Sequence, residues 1–178
     1  MKLDENDYLI YHLYTASKTP RIKKARLKDW ILTTVTFTGL SFLFFRTNNN
    51  LAGYSFLIAA VLSLLLHPFY IRWRYKQHYR KVIRDTYKNR FGEECTLVIN
   101  ENIIGTKDKT SESTIHTTEI EEINEIKDFY FIKIKTGVSL IISKAKTDPA
   151  ELESIKNGLK NLVDKKGIKH NMELDWKW

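Results

Sequence analysis

Five histidines, one cysteine and a run of glutamates are the residues of this 178-residue chain whose types can do chemistry. His12, His67, His78, His116 and His170 share no metal-ligand spacing with one another or with Cys95. Ser113 and His116 stand three apart on an expected strand, which points their side chains to opposite faces, and no nucleophile elbow surrounds them. Glu119, Glu121, Glu122 and Glu125 have the composition of a paired-carboxylate site, but they read as a solvated charge run between strands. The seven glycines are scattered, and none forms a phosphate-cradling loop after a strand. No metal, cofactor or catalytic group is therefore expected, and the chain reads as a non-enzyme. A single cysteine excludes an intramolecular disulfide, and Cys95 reads as a small apolar residue inside a strand.

What remains is the chemistry of binding. The formal net charge is +8, which by itself points to an acidic partner. Between Lys18 and Asp29 there are six Lys or Arg and one acid, and between Arg72 and Arg90 there are eight and one. From Phe91 to Trp178 thirteen Lys face sixteen Asp or Glu, a balance of −3. A nucleic-acid binder carries its basic patch on its folded domain, whereas here the excess sits in two strips outside it, so no nucleic acid is expected. The strips supply the candidate lipid-headgroup residues: Arg21, Lys23, Lys24, Arg26 and Lys28, then Arg72, Trp73, Arg74, Lys76, Arg80 and Lys81. Each basic residue near an anionic leaflet is worth about 1 kcal/mol of attraction, and the same residues also serve as topology signals.

The elements between the strips explain their position. "WILTTVTFTGLSFLFF" (Trp30–Phe45) and "LAGYSFLIAAVLSLLLHPFYI" (Leu51–Ile71) carry no charge, and the second spans 21 residues. That is enough to cross a hydrocarbon core of ~30 Å at ~1.5 Å per residue. The first is at the short limit, and Asp29 and Arg46 or local thinning of the bilayer must absorb the mismatch. Thr33, Thr34, Thr36 and Thr38 are tolerated in a lipid-embedded helix because each hydroxyl can bond a carbonyl one turn back. Only "RTNNN" joins the runs, so a two-helix transmembrane hairpin is expected over residues 30–71. The positive-inside rule then puts both termini in the cytoplasm of a multi-pass inner-membrane protein. Ser55, Ala59 and Ser63 form a small-xxx-small row for helix packing, within the hairpin or in a homo-oligomer, with Thr34 and Thr38 opposite. His67 has no acidic partner in either run and reads, with Pro68, as a kink at the interface.

Residues 1–29 are expected to form a short aromatic helix, capped by Asp4, Asn6 or Asp7 and ended by Pro20, followed by the first basic strip. That helix lies either in the interface plane or against the cytoplasmic domain. Residues 72–91 continue the second span as a basic helical stalk whose Val82, Ile83 and Tyr87 dock on the C-terminal domain. Over 92–178 the pattern turns to strands: Cys95–Ile99, the turn Asn100-Glu101-Asn102, Ile103–Lys107, Ser113–Ile120, Asp128–Lys135 and Val138–Ser143. Tyr130, Ile132 and Ile134 face Val138, Leu140 and Ile142 across a Thr136-Gly137 turn in a one-sided core. Pro149 opens a helix whose Leu152, Ile155, Leu159 and Leu162 or Val163 seat it on the sheet. The tail "MELDWKW" is a free end, an added strand or an aromatic anchor through Trp176 and Trp178.

The fold class is thus α+β, a helical hairpin followed by a small antiparallel β domain closed by a C-terminal helix. With its short hairpin, basic stalk, "TTEIEEINEIKDFYFIKI" segment and "LIISKAKTDPAELESIKNGL" junction, the chain resembles the YcxB-like family of bacterial two-span membrane proteins. That resemblance implies a pleckstrin-homology-like C-terminal domain and carries no catalytic residue with it. The function expected is a membrane-anchored binding or scaffold module, its partner a protein, a lipid headgroup or a second copy. The alternative is a membrane-anchored immunity protein that neutralises a cognate toxin.

Overall fold

The computed structural model describes residues 1–100, 102–107 and 112–178. Glu101, expected in a turn, lies outside the described residues. The chain is α+β: helices α1 (Glu5–Lys18), α2 (Pro20–Arg46) and α3 (Asn50–Tyr87) precede strands β1 (Thr96–Ile99), β2 (Ile103–Lys107), β3 (Glu112–His116), β4 (Ile120–Ile126), β5 (Phe129–Ile134) and β6 (Ser139–Ser143), then helix α4 (Pro149–Lys166) and strand β7 (Lys169–Glu173). Two compact units result. One is Met1–Tyr11 with Val82–Lys177, and the other is His12–Lys81 with Trp178.

In the helical unit α1 ends at Lys18, just ahead of Pro20, as expected. Pro20 also opens the next helix. It takes the first position of α2, where its fixed φ is pre-organised and its missing N–H costs nothing. The basic strip is therefore the opening of the same helix that carries the apolar run. The hydroxyls of Thr33, Thr34, Thr36 and Thr38 each donate to the carbonyl four residues back, at 2.8–3.0 Å. Asn48 closes the link to α3 with φ 57°, a left-handed conformation asparagine tolerates. Asn49 Oδ1 accepts from Ala52 N at 3.2 Å. α3 then runs for 38 residues, through Pro68 without interruption.

Contacts across the α2–α3 pair follow one line. Ser41, buried on α2, donates its hydroxyl to Gly53 O at 2.8 Å. Phe44 stacks on Phe56 with centroids 5.2 Å apart. Thr34 Oγ1 lies 3.4 Å from Ser63 Oγ. Of the row Ser55, Ala59 and Ser63, only Ser63 makes such a contact. Ser55 is exposed and bonds Leu51 O, and Ala59 is half-buried. The buried small residues are Gly53 and Ala60, because a helix face recurs at three and four residues, not at four alone. A Cβ at Gly53 would stand 2.7 Å from the Phe45 ring. Among the described residues α3 is the one helix long and apolar enough to cross a membrane; α2, diluted by threonines and glycine, falls short of that measure.

The other unit holds two sheets, β1-β2-β3 and β6-β5-β4-β7. The β5–β6 hairpin has the expected register, with Tyr130 opposite Ile142 and Ile132 opposite Leu140. Its core is not one-sided, however. Phe129, Phe131 and Ile141 on the reverse face are also buried, Tyr11 packs on Phe131 at 5.5 Å, and Val138 is exposed in the turn. β4 and β7 correct the sequence reading further. Three of the four glutamates that read as a charge run between strands sit on β4, and β7 pairs with β4 in parallel, after the helix expected to close the domain. The β domain is therefore mixed, not purely antiparallel.

The core joins Leu97 and Ile104 from one sheet, Ile120, Ile123, Tyr130, Ile132 and Ile142 from the other, and Ile155, Leu159 and Leu162 from α4. Asp148 caps α4 by accepting from Ala150 N at 2.9 Å, and Pro149 follows at the first position. Gly158 is where α4 approaches β1: a Cβ there would meet Ile99 Cγ2 at 3.0 Å. Gly158→Val is expected to destabilise this unit by about 1–3 kcal/mol through overpacking, despite its better helix propensity. The check is a lowered urea midpoint at unchanged m.

The N-terminal residues belong to this same unit. Asp4 and Asp7 cap α1 reciprocally, with Asp4 N donating to Asp7 Oδ2 at 2.7 Å and Asp7 N to Asp4 Oδ1 at 3.1 Å. Gly92 N donates to Leu3 O and Cys95 N to Met1 O, both at 2.9 Å. Tyr8 stacks on Tyr87 at 4.6 Å, and Ile83 beside that turn is fully buried. Of the two placements open for the first helix, its opening turns take the one against the β domain.

Candidate functional site

The candidate headgroup residues singled out by the sequence fall on two helices: Arg21, Lys23, Lys24, Arg26 and Lys28 on the first turns of α2, and Arg72, Trp73, Arg74, Lys76, Arg80 and Lys81 on α3. All are exposed except Arg26, which is half-buried. The antiparallel pairing gathers some of them and leaves others apart. Arg26 and Arg74 share a cleft of about 490 Å³ with Asp29, Tyr75, His78 and Tyr79. Lys23 and Arg26 border an adjoining cleft of about 280 Å³ with Leu27, Trp30, His67 and Pro68. Arg21, Lys24, Lys28, Arg72, Trp73, Lys76, Arg80 and Lys81 line neither of these.

Within this region His67 Nε2 lies 3.6 Å from Asp29 Oδ2, and Arg74 Nη1 lies 3.9 Å from the same oxygen. His67 thus has an acidic neighbour after all, from just outside the first apolar run. Counting outward from Asn48 in the link would have found it, because Asp29 and His67 are equally distant from the turn of an antiparallel pair. The Arg26 guanidinium lies 4.7 Å from the Trp178 ring and 5.8 Å from the Tyr75 ring, both within cation–π range. Trp178 Nε1 donates to Arg72 O at 3.4 Å. Of the tail residues, Met172 and Glu173 belong to β7, and Trp178 lies with the helical unit. His12 stacks on Tyr79 at 5.5 Å, and burial lowers its pKa.

The other unit holds a titratable cluster across β4, β5 and β7. Lys144 Nζ donates to Glu125 Oε1 at 2.7 Å, His170 Nε2 lies 3.1 Å from Glu125 Oε2, and Lys144 stands 4.3 Å over the Tyr130 ring. Burial and the neighbouring Glu125 carboxylate push the Tyr130 hydroxyl up to about 12, so it stays protonated and is no base. Burial would raise Glu125, but its hydrogen bonds and charge pairing with Lys144 outweigh this and hold it below the usual range. Every charge here engages a neighbour, which describes a cross-strand lock better than a reaction centre. Beside it, Asn171 Nδ2 donates to Asn124 Oδ1 at 2.9 Å and Glu122 Oε2 at 3.1 Å, pairing β7 to β4 through polar side chains.

A cleft of about 570 Å³ in the same unit is walled by Asp4, Cys95, Lys146 and Glu151, among others. Lys146 Nζ donates to Asp4 Oδ2 at 2.5 Å and Asp7 Oδ2 at 2.6 Å. The bond from Lys146 lowers the Asp4 pKa. Burial alone would lower that of Lys146, but the two carboxylates outweigh it and raise it. Cys95 stands one residue before β1 and is half-buried. Among the described residues no group of three or more His, Cys, Asp or Glu could hold a metal ion.

These shifts give a pH dependence with a definite sign. Asp4 and Glu125 have depressed folded-state pKa values, so the stability they add is present above their ordinary values of 3.8 and 4.5. It is lost as pH falls through the lower folded values. The raised Lys146 adds stability that is present below 10.5 and lost as pH rises through its higher folded value. Strand-amide protection in this unit is therefore expected to be flat from about pH 5 to 9 and to fall below about pH 4. A Glu125→Gln variant should show a shallower fall, measurable by circular dichroism against pH.

Comparison of the chain with protein-family models, with curated proteins and with solved structures found no match.

Proposed function

We propose that the chain is a membrane-anchored binding module: an α2–α3 hairpin embedded in the inner membrane, both termini in the cytoplasm, joined to a β unit that engages a partner. The observation that carries this reading is the surface of α3. Only 11% of its most apolar window is buried, and Ile58, Val61, Leu62, Leu65 and Leu66 are each about half exposed or more. An apolar face of that extent on a water-soluble protein would be an aggregation site. Hydrocarbon is the solvent that suits it. α2 accompanies α3 into the bilayer because its hydroxyls are spent on its own carbonyls and on Gly53, leaving no unbonded side-chain donor among its threonines and Ser41.

The exposed Arg and Lys at one end of the pair, against Arg46 alone at the other, set the orientation by the positive-inside rule. The partner is a protein, a lipid headgroup or a second copy, and the reading is of a binder rather than a catalyst because the Glu125 cluster is spent on itself. The resemblance to the YcxB-like family, with its pleckstrin-homology-like domain, agrees with two sheets and helix α4 sharing one core. The test is topological. Green fluorescent protein fused after Trp178 should fluoresce, alkaline phosphatase inserted between Thr47 and Asn48 should be active, and the chain should resist carbonate extraction. A chain that stays dispersed without detergent, or the reverse pair of reporter signals, removes the reading.

A further inference from the structure

Two ring nitrogens at the basic end of the α2–α3 pair have no hydrogen-bond partner. Trp30 Nε1 and His67 Nε2 are both shielded from solvent and neither is bonded. The nearest anion to His67, Asp29 Oδ2 at 3.6 Å, is beyond bonding distance and shared with Arg74. Buried polar groups in folded proteins are nearly always satisfied, so this unbonded pair points to a missing partner, which for the indole N–H is an acceptor. Trp30 and His67 are both lining residues of the cleft of about 280 Å³. Lys23 and Arg26, one turn apart on α2, supply the charge in its wall, and the rest is apolar: Leu27, Pro68 and Ile71.

That order of chemistry is directional. Cations stand toward the start of α2, the unbonded Trp30 nitrogen comes about 6 Å further along, and past it both helices expose apolar side chains: Ile31, Leu32 and Val35 on α2, Leu62 and Leu64 on α3. A phospholipid has the same order: phosphate, ester carbonyls, acyl chain. The geometry points to this cleft as the seat of one anionic phospholipid, an inference that rests on the proposed membrane reading. Its phosphate lies on Lys23 and Arg26 in charge-assisted hydrogen bonds. An ester carbonyl accepts from Trp30 Nε1, and one chain continues past Trp30 over the exposed apolar side chains beyond it. The adjoining cleft is the poorer seat for an anion, because Asp29 stands in its wall.

Native mass spectrometry of the full chain in neutral detergent, with phosphatidylglycerol and phosphatidylcholine as probes, tests this. One phosphatidylglycerol per chain should be retained and phosphatidylcholine should not. Lys23→Gln with Arg26→Gln should weaken retention at least tenfold, whereas Lys24→Gln with Lys28→Gln, an equal loss of charge outside the cleft, should change it less than threefold. Trp30→Phe keeps the ring and removes only the N–H, so it should weaken retention severalfold even if the double variant folds poorly. Equal losses in the two double variants would mean a diffuse positive collar and overturn the site. Competition by glycerol 3-phosphate as effective as by the lipid would overturn the lipid assignment. Flotation of the wild-type chain on liposomes separates the two levels: failure to float sinks the membrane reading, while flotation without selective retention sinks this inference alone.

Discussion

Replacing Lys146 by methionine is expected to cost the β unit about 3 kcal/mol, read as roughly hundredfold faster amide exchange in β5 and β6. Lys146 lies between β6 and α4, and its amine bridges two carboxylates at the start of α1. Those two are not equivalent. The Asp4 side chain is 58% exposed and would be solvated by water once the amine is gone, whereas that of Asp7 is 4% exposed and would not. Asp7 would keep the N–H of Asp4, which places the loss toward the lower end of what breaking a buried ion pair costs. The double variant Asp7→Asn with Lys146→Met removes the stranded charge while the amide oxygen can still accept from Asp4 N. It should recover more than half of the loss, which makes the coupling measurable as a cycle. Unchanged exchange in the single methionine variant would mean that the N-terminal turns are not held by this pair.

How much of this was legible in the sequence depends on whether a local rule governs the element. Helix α4 obeys several at once: an Asp148 cap, Pro149 at the first position, and Ile155, Leu159 and Leu162 on one face. The β5–β6 hairpin obeys alternation and a Gly137 turn with φ 88°. Strand β4 breaks the rule that would reveal it. Its isoleucines stand three apart, at 120, 123 and 126, which is not the period of a strand. A register shift between Ile120 and Glu122 brings Ile120 and Ile123 onto the core side and leaves Ile126 on the other. β7, "KHNME", has no apolar pattern, and its place is set by Asn171 and His170 meeting Asn124, Glu122 and Glu125 on the neighbouring strand. Such pairings are between residues more than forty positions apart, and no window of the sequence contains both partners. The site divides in the same way. The basic strips were visible as composition, but the selection of Lys23 and Arg26 from among them, and the meeting of Asp29 with His67, come from pairing two helices about a three-residue link.

An arginine in place of Val61 separates a lipid-facing helix from a soluble one. Val61 lies at the middle of the apolar run and is 50% exposed, so its side chain leaves the α2–α3 pair toward whatever solvent surrounds it. Against water, a surface substitution of this kind changes stability by less than about 0.5 kcal/mol and improves solubility. Against hydrocarbon, a centrally placed arginine costs about 2.5–3.5 kcal/mol of insertion free energy. The insertion equilibrium should then shift by roughly two orders of magnitude, seen as a fall in the carbonate-resistant fraction and in steady-state level. Trp73→Arg is the matched control, because Trp73 is similarly exposed, at 58%, but stands among Arg72, Arg74 and Lys76, where another cation meets headgroups. It should insert as the wild type does. If Val61→Arg and Trp73→Arg behave alike, and both leave the chain dispersed in plain buffer, α3 does not enter a bilayer and its leucines must be covered by protein instead.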